Sequence, residues 1–322
     1  MSSSSYITLN DGKQTPLIAY GSGTAWFEAT GPDGISSALV EATDTAIKVG
    51  FTHLDAAKVY GNEKSTGVAI SQCGLAREKL YITTKIYSGL ASVKETLRAQ
   101  LRDLKVDYVD LYLIHTAMFT KEEGEPTLAE AWKSMEEIQA EGLAKSIGVS
   151  NYRISDLKET LKSAKVKPAV NQSVTPFKFI LRWFFRTNGW IAVKTKQNRI
   201  EFHPYVWKEA EPLLNFMKQE GITLAAYGPQ VPVVKMPGGK VDPILERISS
   251  ERQITTGEVL LKWAKAHGAI VVTTSSKETR MKSMLKAVLD DNSDLSLAEI
   301  HEINQAGIEN GVRRQFMKHM SD

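Results

Sequence analysis

The sequence predicts an α/β fold, a (β/α)8 TIM barrel preceded by a short N-terminal β-hairpin. Eight short apolar and β-branched runs alternate with longer segments of helical periodicity. Most of the runs are continuously apolar, which is typical of strands buried on both faces. Several helical segments end at a glycine directly before the next run, where a left-handed residue closes a helix. The 322 residues are long enough for such a barrel, and we expect residues 1–322 to form one barrel domain.

A doubly wound open sheet is the alternative fold for the same alternation. Such a sheet usually carries a G-x-G-x-x-G sequence where its first helix opens. Here Gly21-Ser22-Gly23 is followed by Thr24-Ala25-Trp26, so the third glycine is missing. The sequence therefore favours the closed barrel.

The predicted elements follow one another in chain order. Residues 6–9 and 13–15 flank the turn sequence Asn10-Asp11-Gly12 and predict the hairpin. The eight predicted barrel strands are Ile18–Tyr20, Thr52–Asp55, Leu80–Ile86, Tyr108–His115, Ser146–Val149, Ala169–Gln172, Ile222–Tyr227 and Ala269–Thr274. The predicted helices, with apolar residues at helical spacing, are Ser37–Val49, Val93–Leu104, Leu128–Glu141, Leu157–Ala164, Glu211–Gln219 and Thr256–Ala266.

The composition is that of an ordinary globular protein, with 42% hydrophobic and 24% charged residues. It excludes a disordered chain, a collagen-like fibre and a small disulfide scaffold. The one cysteine, Cys73, excludes an intramolecular disulfide and is typical of a reducing compartment, so we expect a cytoplasmic protein. The segment Met1–Tyr6 holds four serines and no apolar run, so we expect no secretory signal peptide.

Four polar residues follow or end three successive predicted strands: Asp55, Tyr60, Lys85 and His115. In a barrel, such strand ends meet on one rim, where active sites lie. A lysine ammonium favours the phenolate of a nearby tyrosine and lowers its pKa, and an aspartate keeps the lysine charged. A neutral histidine can orient a carbonyl oxygen towards the acid. Each residue alone is more often structural, but the set predicts protonation of a carbonyl oxygen.

Several motifs in order resemble those of the aldo-keto reductases. They are Gly50–Glu63 (GFTHLDAAKVYGNE), Asp110–His115 (DLYLIH), Gly148–Tyr152 (GVSNY) and Val170–Gln172 (VNQ). The resemblance extends from Ile7 to about Gly307, with one interruption. It implies a (β/α)8 barrel that transfers hydride from NADPH to an aldehyde or ketone.

The resemblance also implies the role of each site residue. Tyr60 is the general acid, Lys85 lowers its pKa, Asp55 supports Lys85, and His115 orients the substrate carbonyl. The residues implied to contact the cofactor are Thr24, Ser150, Asn151, Gln172, Tyr227, Gly228, Ser275 and Arg280, with Tyr227 stacking on the nicotinamide. Because Thr274 stands where the family commonly has lysine, we expect NADPH to be preferred over NADH with weaker discrimination than usual.

The substrate class depends on weaker signals. The sequences Gly21–Trp26 and Thr273–Ser276 are similar to a fungal subgroup that reduces α-keto amides, conjugated polyketones or ketopantoyl lactone. Trp26 and Phe119 are candidate walls of the substrate pocket, although such aromatic residues are also ordinary loop packing. The histidines show no metal-ligand spacing, so we expect no metal site. We expect no nucleic-acid or membrane partner, and a monomer.

One segment, residues 173–199, interrupts the resemblance. It carries six basic and six aromatic residues with no acidic residue, and the rest of the chain is mildly acidic. Removing it restores the family sequence and leaves 295 residues, so we interpret it as an atypical insert inside or just beyond the sixth barrel strand. The favoured interpretation of this segment is a retained intron or a wrong gene model. The alternatives are a real loop insertion that forms a lid, a basic aromatic surface for nucleic acid or membranes, and an unclassified feature. We expect the activity to belong to the shorter form. A cofactor-binding regulatory or inactive member of the family is the alternative function.

Overall fold

A computed structural model of the chain describes residues 5–118, 124, 126–173 and 201–313. Eight parallel strands form a closed barrel in chain order, and the first strand pairs with the last. A two-stranded antiparallel sheet precedes the barrel. The predicted (β/α)8 barrel with an N-terminal hairpin is confirmed, and the closed barrel excludes the open-sheet alternative.

All eight predicted barrel strands are present, with ends that differ by at most two residues. The hairpin consists of β1 (Tyr6–Thr8) and β2 (Gln14–Pro16). The barrel strands are β3 (Ile18–Gly21), β4 (His53–Asp55), β5 (Tyr81–Ile86), β6 (Val109–Ile114), β7 (Ala144–Ser150), β8 (Val170–Ser173), β9 (Thr223–Tyr227) and β10 (Ile270–Thr273).

The helices pack outside the barrel and include all six that the periodicity predicts. In the described ranges they are α1 (Ser37–Val49), α2 (Glu63–Gln72), α3 (Val93–Leu104), α4 (Leu128–Ala140), α5 (Ile154–Leu161), α6 (Trp207–Glu220), α7 (Val231–Lys235), α8 (Asp242–Arg252), α9 (Thr256–Ala266), α10 (Glu278–Leu289) and α11 (Leu297–Glu309). The sequence analysis missed α2, α7, α8, α10 and α11. No helix in these ranges has the length and apolar character needed to cross a bilayer.

The hairpin is tied to the N-terminal end of the barrel. The Ser146 hydroxyl in β7 donates a hydrogen bond to Asp11 Oδ2 at 2.7 Å, and Asp11 lies in the hairpin turn. The side-chain amide of Asn10 donates to the carbonyl of Pro168 at 2.8 Å. The strands' C-terminal ends are therefore the rim available for a site.

The first residue of the atypical insert, Ser173, is the last residue of the sixth barrel strand, β8. In β8, Asn171 and Gln172 pair with β7, and Val170 to Ser173 pair with β9. Residues 174–200 lie outside the described residues. After them, the Phe202 amide donates to the carbonyl of Tyr227 at 3.2 Å. The insert thus leaves the barrel at the C-terminal rim, and β8 keeps its ladders to both neighbours.

Candidate active site

Asp55, Lys85 and Tyr60 form a buried hydrogen-bonded chain inside the C-terminal rim. Asp55 ends β4, and Lys85 lies near the end of β5. The Lys85 ammonium donates to both carboxylate oxygens of Asp55 at 2.8 and 2.9 Å, and to the carbonyl of Ala56 at 2.8 Å. It also donates to the Tyr60 hydroxyl oxygen at 3.4 Å. A phenol that accepts a hydrogen bond from an ammonium still has its own O–H to donate.

Burial is the largest cause of the pKa shifts in the hydrogen-bonded chain of Asp55, Lys85 and Tyr60. It raises the pKa of Tyr60 well above its usual value, and the nearby Asp55 and Tyr227 act in the same direction. Burial also lowers the pKa of Lys85, which the Asp55 carboxylate opposes. The net pKa shift of Tyr60 is therefore upward, whereas the family resemblance implies a lowered pKa. Tyr60 is protonated at neutral pH, and the ammonium beside it favours the phenolate once the proton has left.

His115 directly follows β6 and lies beside Tyr60. The two rings meet edge to face with their centroids 5.7 Å apart. Burial lowers the pKa of His115 well below its usual value, and the Lys85 charge adds to this shift. Neither ring nitrogen has a hydrogen-bond partner among the described residues, although both are buried. A neutral imidazole with a nitrogen available is a donor for a carbonyl oxygen.

Ser150, Asn151 and Gln172 lie together next to this chain. The Asn151 amide donates to the carbonyl of His115 at 2.8 Å and to the Ser150 hydroxyl at 3.0 Å. The Gln172 amide donates to Asp55 Oδ1 at 2.9 Å. The other end of that amide, Gln172 Oε1, is buried and accepts no hydrogen bond from the described part of the chain.

Thr24 follows β3, and Tyr227 and Gly228 lie at the end of β9, on the same rim. Tyr227 ends β9, and burial raises its pKa to about 12, opposed by a hydrogen bond with Thr24. Gly228 follows with φ of 70°. Next to Thr24, a Cβ at Gly23 would lie 3.1 Å from Tyr60 Cζ. A side chain at Gly23 would therefore require the Tyr60 ring to shift by a few tenths of an ångström.

Ser275 and Arg280 lie where the chain passes from β10 into α10. The Ser275 hydroxyl oxygen accepts a hydrogen bond from the Lys277 amide at 3.0 Å. Arg280 is exposed in the first turn of α10 and forms no ion pair with the residues described. A helix N-terminus with an arginine nearby suits a phosphate group.

Trp26 is held in place by its own polar group. Its indole N–H donates to the Tyr20 hydroxyl at 3.1 Å, and that hydroxyl donates to the carbonyl of Ser275 at 2.9 Å. The Asn62 amide donates to the carbonyl of Trp26 at 2.7 Å. The two hydrogen bonds at the Tyr20 hydroxyl connect Trp26, a candidate substrate wall, to the loop after β10. The other candidate wall, Phe119, lies outside the described residues.

The sequence analysis did not identify two aromatic residues that lie beside the rings of Tyr60 and His115. Phe27 approaches the Tyr60 ring edge to face at 6.2 Å between centroids, and Tyr87 approaches the His115 ring at 6.0 Å. Signals for both existed, because Phe27 follows Trp26 and Tyr87 lies two residues beyond Lys85, on the same face of an extended chain. Both rings belong to the wall around the polar centre.

The described residues fit a nicotinamide. Its carboxamide is both a donor and an acceptor, and the buried acceptor Gln172 Oε1 lacks a donor among the residues described. The cluster of Ser150, Asn151 and Gln172 therefore presents suitable chemistry. Within the described ranges, no group of three or more His, Cys, Asp or Glu residues is arranged to hold a metal ion.

Comparisons with known proteins agree with this geometry. A family model described as "Aldo/keto reductase family" matches residues 21–178. The chain is 37% identical to an NAD/NADP-dependent indole-3-acetaldehyde reductase of Schizosaccharomyces pombe, with 97% of this chain and 98% of that protein covered. It is 32% identical to an NADPH-dependent alpha-keto amide reductase of Saccharomyces cerevisiae, covering 97% and 93%. The crystal structure of a Bombyx mori aldo-keto reductase in complex with NADP superimposes with a TM-score of 0.75, at 28% identity, covering 95% of this chain and 93% of that one.

Proposed function

Because the chain belongs to the aldo/keto reductase family of oxidoreductases, we propose that it reduces an aldehyde or ketone with NADPH, with Tyr60 as the general acid. One observation carries this proposal: a protonated Tyr60 accepts a hydrogen bond from the Lys85 ammonium, which is itself paired with Asp55. The arrangement supports proton donation, because the phenolate left behind is next to a positive charge.

Each residue then has a distinct task in the reaction. His115 is neutral and donates a hydrogen bond to the carbonyl oxygen, which holds that oxygen near the Tyr60 hydroxyl. Tyr60 gives its proton to the oxygen as negative charge develops there. Lys85 stabilises the phenolate, and Asp55 keeps the ammonium in place.

NADPH supplies the hydride in this proposal. Ser150, Asn151 and Gln172 bind the carboxamide of the nicotinamide, and Tyr227 stacks on its ring with Thr24 and Gly228 beside it. Ser275 and Arg280 receive the 2′-phosphate at the start of α10. Fixing the ring in one orientation aligns the reacting carbons, and such positioning supplies much of the rate in reactions of this kind.

The substrate proposed is a carbonyl next to an apolar or aromatic group, with α-dicarbonyl compounds as the first class to test. The walls described here include Trp26, Phe27 and Tyr87, which suit planar or apolar groups. The relative from Saccharomyces cerevisiae is an alpha-keto amide reductase, and the one from Schizosaccharomyces pombe is an indole-3-acetaldehyde reductase. That the protein works as a cytoplasmic monomer stays a prediction.

The test of the proposal is NADPH oxidation with a 1,2-dicarbonyl substrate. We expect Tyr60→Phe to reduce kcat at least about 100-fold, because general acid catalysis contributes on the order of 100–10,000-fold. The matched control is Tyr152→Phe, because the Tyr152 hydroxyl is buried and has no hydrogen-bond partner in the described structure. Equal turnover of the two variants would contradict the role of Tyr60.

The cofactor preference gives a second test. Arg280→Ala is expected to weaken NADPH binding about 10-fold or more and to leave NADH binding nearly unchanged, because NADH has no 2′-phosphate. Fluorescence titration with both cofactors measures this. An equal loss for both cofactors would place the guanidinium elsewhere on the cofactor.

The alternative proposal is a member of the family that binds the cofactor without turnover. It is favoured by one observation: the insert leaves the barrel next to Gln172, on the rim of the site. Assays of the full chain and of the 295-residue form with one ketone separate the two. We expect turnover in the shorter form, and equal turnover would show that the insert is tolerated.

A further inference from the structure

We infer that Glu63, together with Thr84 and Gln100, is a positioning group that holds Tyr60 against Lys85 from the outer side of the barrel. The inference rests on the proposed function, because it concerns the distance between the acid and its lysine. Glu63 is buried, yet it lies outside the barrel interior and does not touch the Asp55–Lys85–Tyr60 chain.

The segment that carries Tyr60 leaves the sheet before it reaches that residue. The last register pair between β4 and β5 is Asp55 with Thr83, and the Ala56 amide then donates to the carbonyl of Thr83. Tyr60 lies four residues further on, at the end of a single 3-10 turn. The ladder therefore does not fix the position of Tyr60 relative to β5.

Two side-chain links return this segment to β5, one on each face. On the inner face, the Lys85 ammonium donates to the Tyr60 hydroxyl at 3.4 Å. On the outer face, the Thr84 hydroxyl donates to Glu63 Oε1 at 2.5 Å. Glu63 is three residues after Tyr60, Thr84 directly precedes Lys85, and neighbouring side chains of a strand point to opposite faces. Both links therefore join the same two pieces of backbone.

Gln100 of α3 completes the outer link. Its side-chain amide donates to Glu63 Oε1 at 2.8 Å, to the Thr84 hydroxyl at 3.1 Å and to the carbonyl of Lys85 at 3.2 Å. The Tyr112 hydroxyl in β6 donates to Gln100 Oε1 at 2.7 Å and fixes the orientation of that amide. Glu63 Oε1 thus acts only as an acceptor in the described hydrogen bonds, from Thr84 and from Gln100, as expected of a carboxylate oxygen.

The charges around Glu63 make this link sensitive to pH. Burial raises the pKa of Glu63 to about 7, opposed by the hydrogen bonds from Thr84 and Gln100. The charged groups that act on it are Asp103 on α3 and Lys58 on the 3-10 turn, and Glu63 in turn acts on Lys85 and on Tyr112. A protonated Glu63 is a weaker acceptor, so the outer link weakens as the pH falls through about 7.

The first experiment removes one hydroxyl group. Thr84→Val is expected to reduce kcat about 10-fold or more, because displacements on the order of 1 Å cost large factors in rate. The dissociation constant of NADPH is expected to change less than about twofold, and Thr84→Ser, which keeps the donor, is expected to restore most of kcat. The control is Thr43→Val in α1, a buried threonine whose hydroxyl has no partner in the described ranges.

The second experiment uses Glu63→Gln, which keeps the shape of the side chain and removes its charge. The ratio of wild-type kcat to variant kcat is expected to fall as the pH is lowered through about 7. A ratio that is constant from pH 5.5 to 8.5 overturns the inference even if Thr84→Val does not fold. Wild-type kcat in Thr84→Val also overturns it, whereas failure of the proposed function would appear as a wild-type chain without turnover.

Discussion

The two faces of β5 at its C-terminal end bury a carboxylate each, but they compensate it differently. On the inner face, Asp55 is paired with the Lys85 ammonium and accepts a further hydrogen bond from Gln172. On the outer face, Glu63 accepts hydrogen bonds from Thr84 and Gln100, which are both neutral. The inner face holds a charged pair, and the outer face holds a carboxylate whose described hydrogen-bond donors are neutral.

This difference has opposite consequences for stability. A buried ion pair is strongly destabilised when one partner is removed, because the other charge is left without compensation. A buried carboxylate with neutral partners instead avoids the cost of charge by taking up a proton, which is why the pKa of Glu63 rises to about 7. Removing the cation beside Asp55 is therefore expected to destabilise the folded protein. Removing the charge of Glu63 is expected to remove a cost instead.

Removing the inner cation is expected to have the largest effect. Lys85→Met leaves the Asp55 charge buried, which costs about 3–5 kcal/mol of unfolding free energy at neutral pH. Turnover is expected to fall about 1,000-fold or more, because the Tyr60 phenolate also loses its neighbouring charge. Denaturant unfolding and NADPH oxidation measure the two effects.

The control for this variant is Lys262→Met. Lys262 is equally buried, but its partners are the carbonyl of Asp290 and the half-exposed carboxylate of Asp294. No buried carboxylate is stranded by its removal, so its loss is expected to leave turnover unchanged. Similar turnover in Lys85→Met and Lys262→Met would break the comparison.

Removing the outer charge is expected to make stability less dependent on pH. The pKa of Glu63 is raised from 4.5 to about 7, so the folded state binds a proton that the unfolded state has released in this range. The unfolding free energy therefore contains a contribution that is complete below pH 4.5 and falls by about 3 kcal/mol as the pH rises to about 7. Glu63→Gln lacks this contribution.

The difference in unfolding free energy between Glu63→Gln and the wild type is thus expected to grow in favour of the variant from pH 4.5 to 7. Urea unfolding at several pH values, analysed as differences between the two proteins, isolates it from the other carboxylates. A difference that does not vary with pH would mean that Glu63 titrates at its ordinary pKa in the folded protein.

The sequence predicted the strands and some of the helices, but not the elements whose buried residues are mostly polar or small. The barrel strands are continuous apolar runs, and six helices have a clear apolar stripe, so periodicity was sufficient for both. Helix α2 was missed because most of its buried residues are polar or small, and only Ala69 and Ile70 are apolar. Small residues are needed there, since a Cβ at Gly67 would lie 2.1 Å from the carbonyl oxygen of Asp103 in α3.

In the candidate site too, one part could be predicted from the sequence and another could not. Asp55, Tyr60, Lys85 and His115 follow from their places at strand ends and from recognisable motifs. The network of Glu63, Thr84 and Gln100 joins residues up to 37 positions apart through side chains on three elements, and no periodic pattern reports such a contact. The upward pKa shift of Tyr60 likewise depends on burial, which becomes known only when the barrel has closed around it.

The smallest expected effect is the difference in unfolding free energy between losing a buried hydroxyl that has a hydrogen-bond partner and losing one that has none in the described structure. Tyr112→Phe removes the donor to Gln100 Oε1 on the outer face and leaves that oxygen buried without a partner. This is expected to cost about 1–2 kcal/mol of unfolding free energy. Tyr152→Phe removes an equally buried hydroxyl that has no partner in the described structure, and is expected to be neutral or slightly stabilising. Thermal and urea unfolding of the pair test this, because equal losses would mean that lost packing, and not the hydrogen bond to Gln100, sets the cost on the outer face.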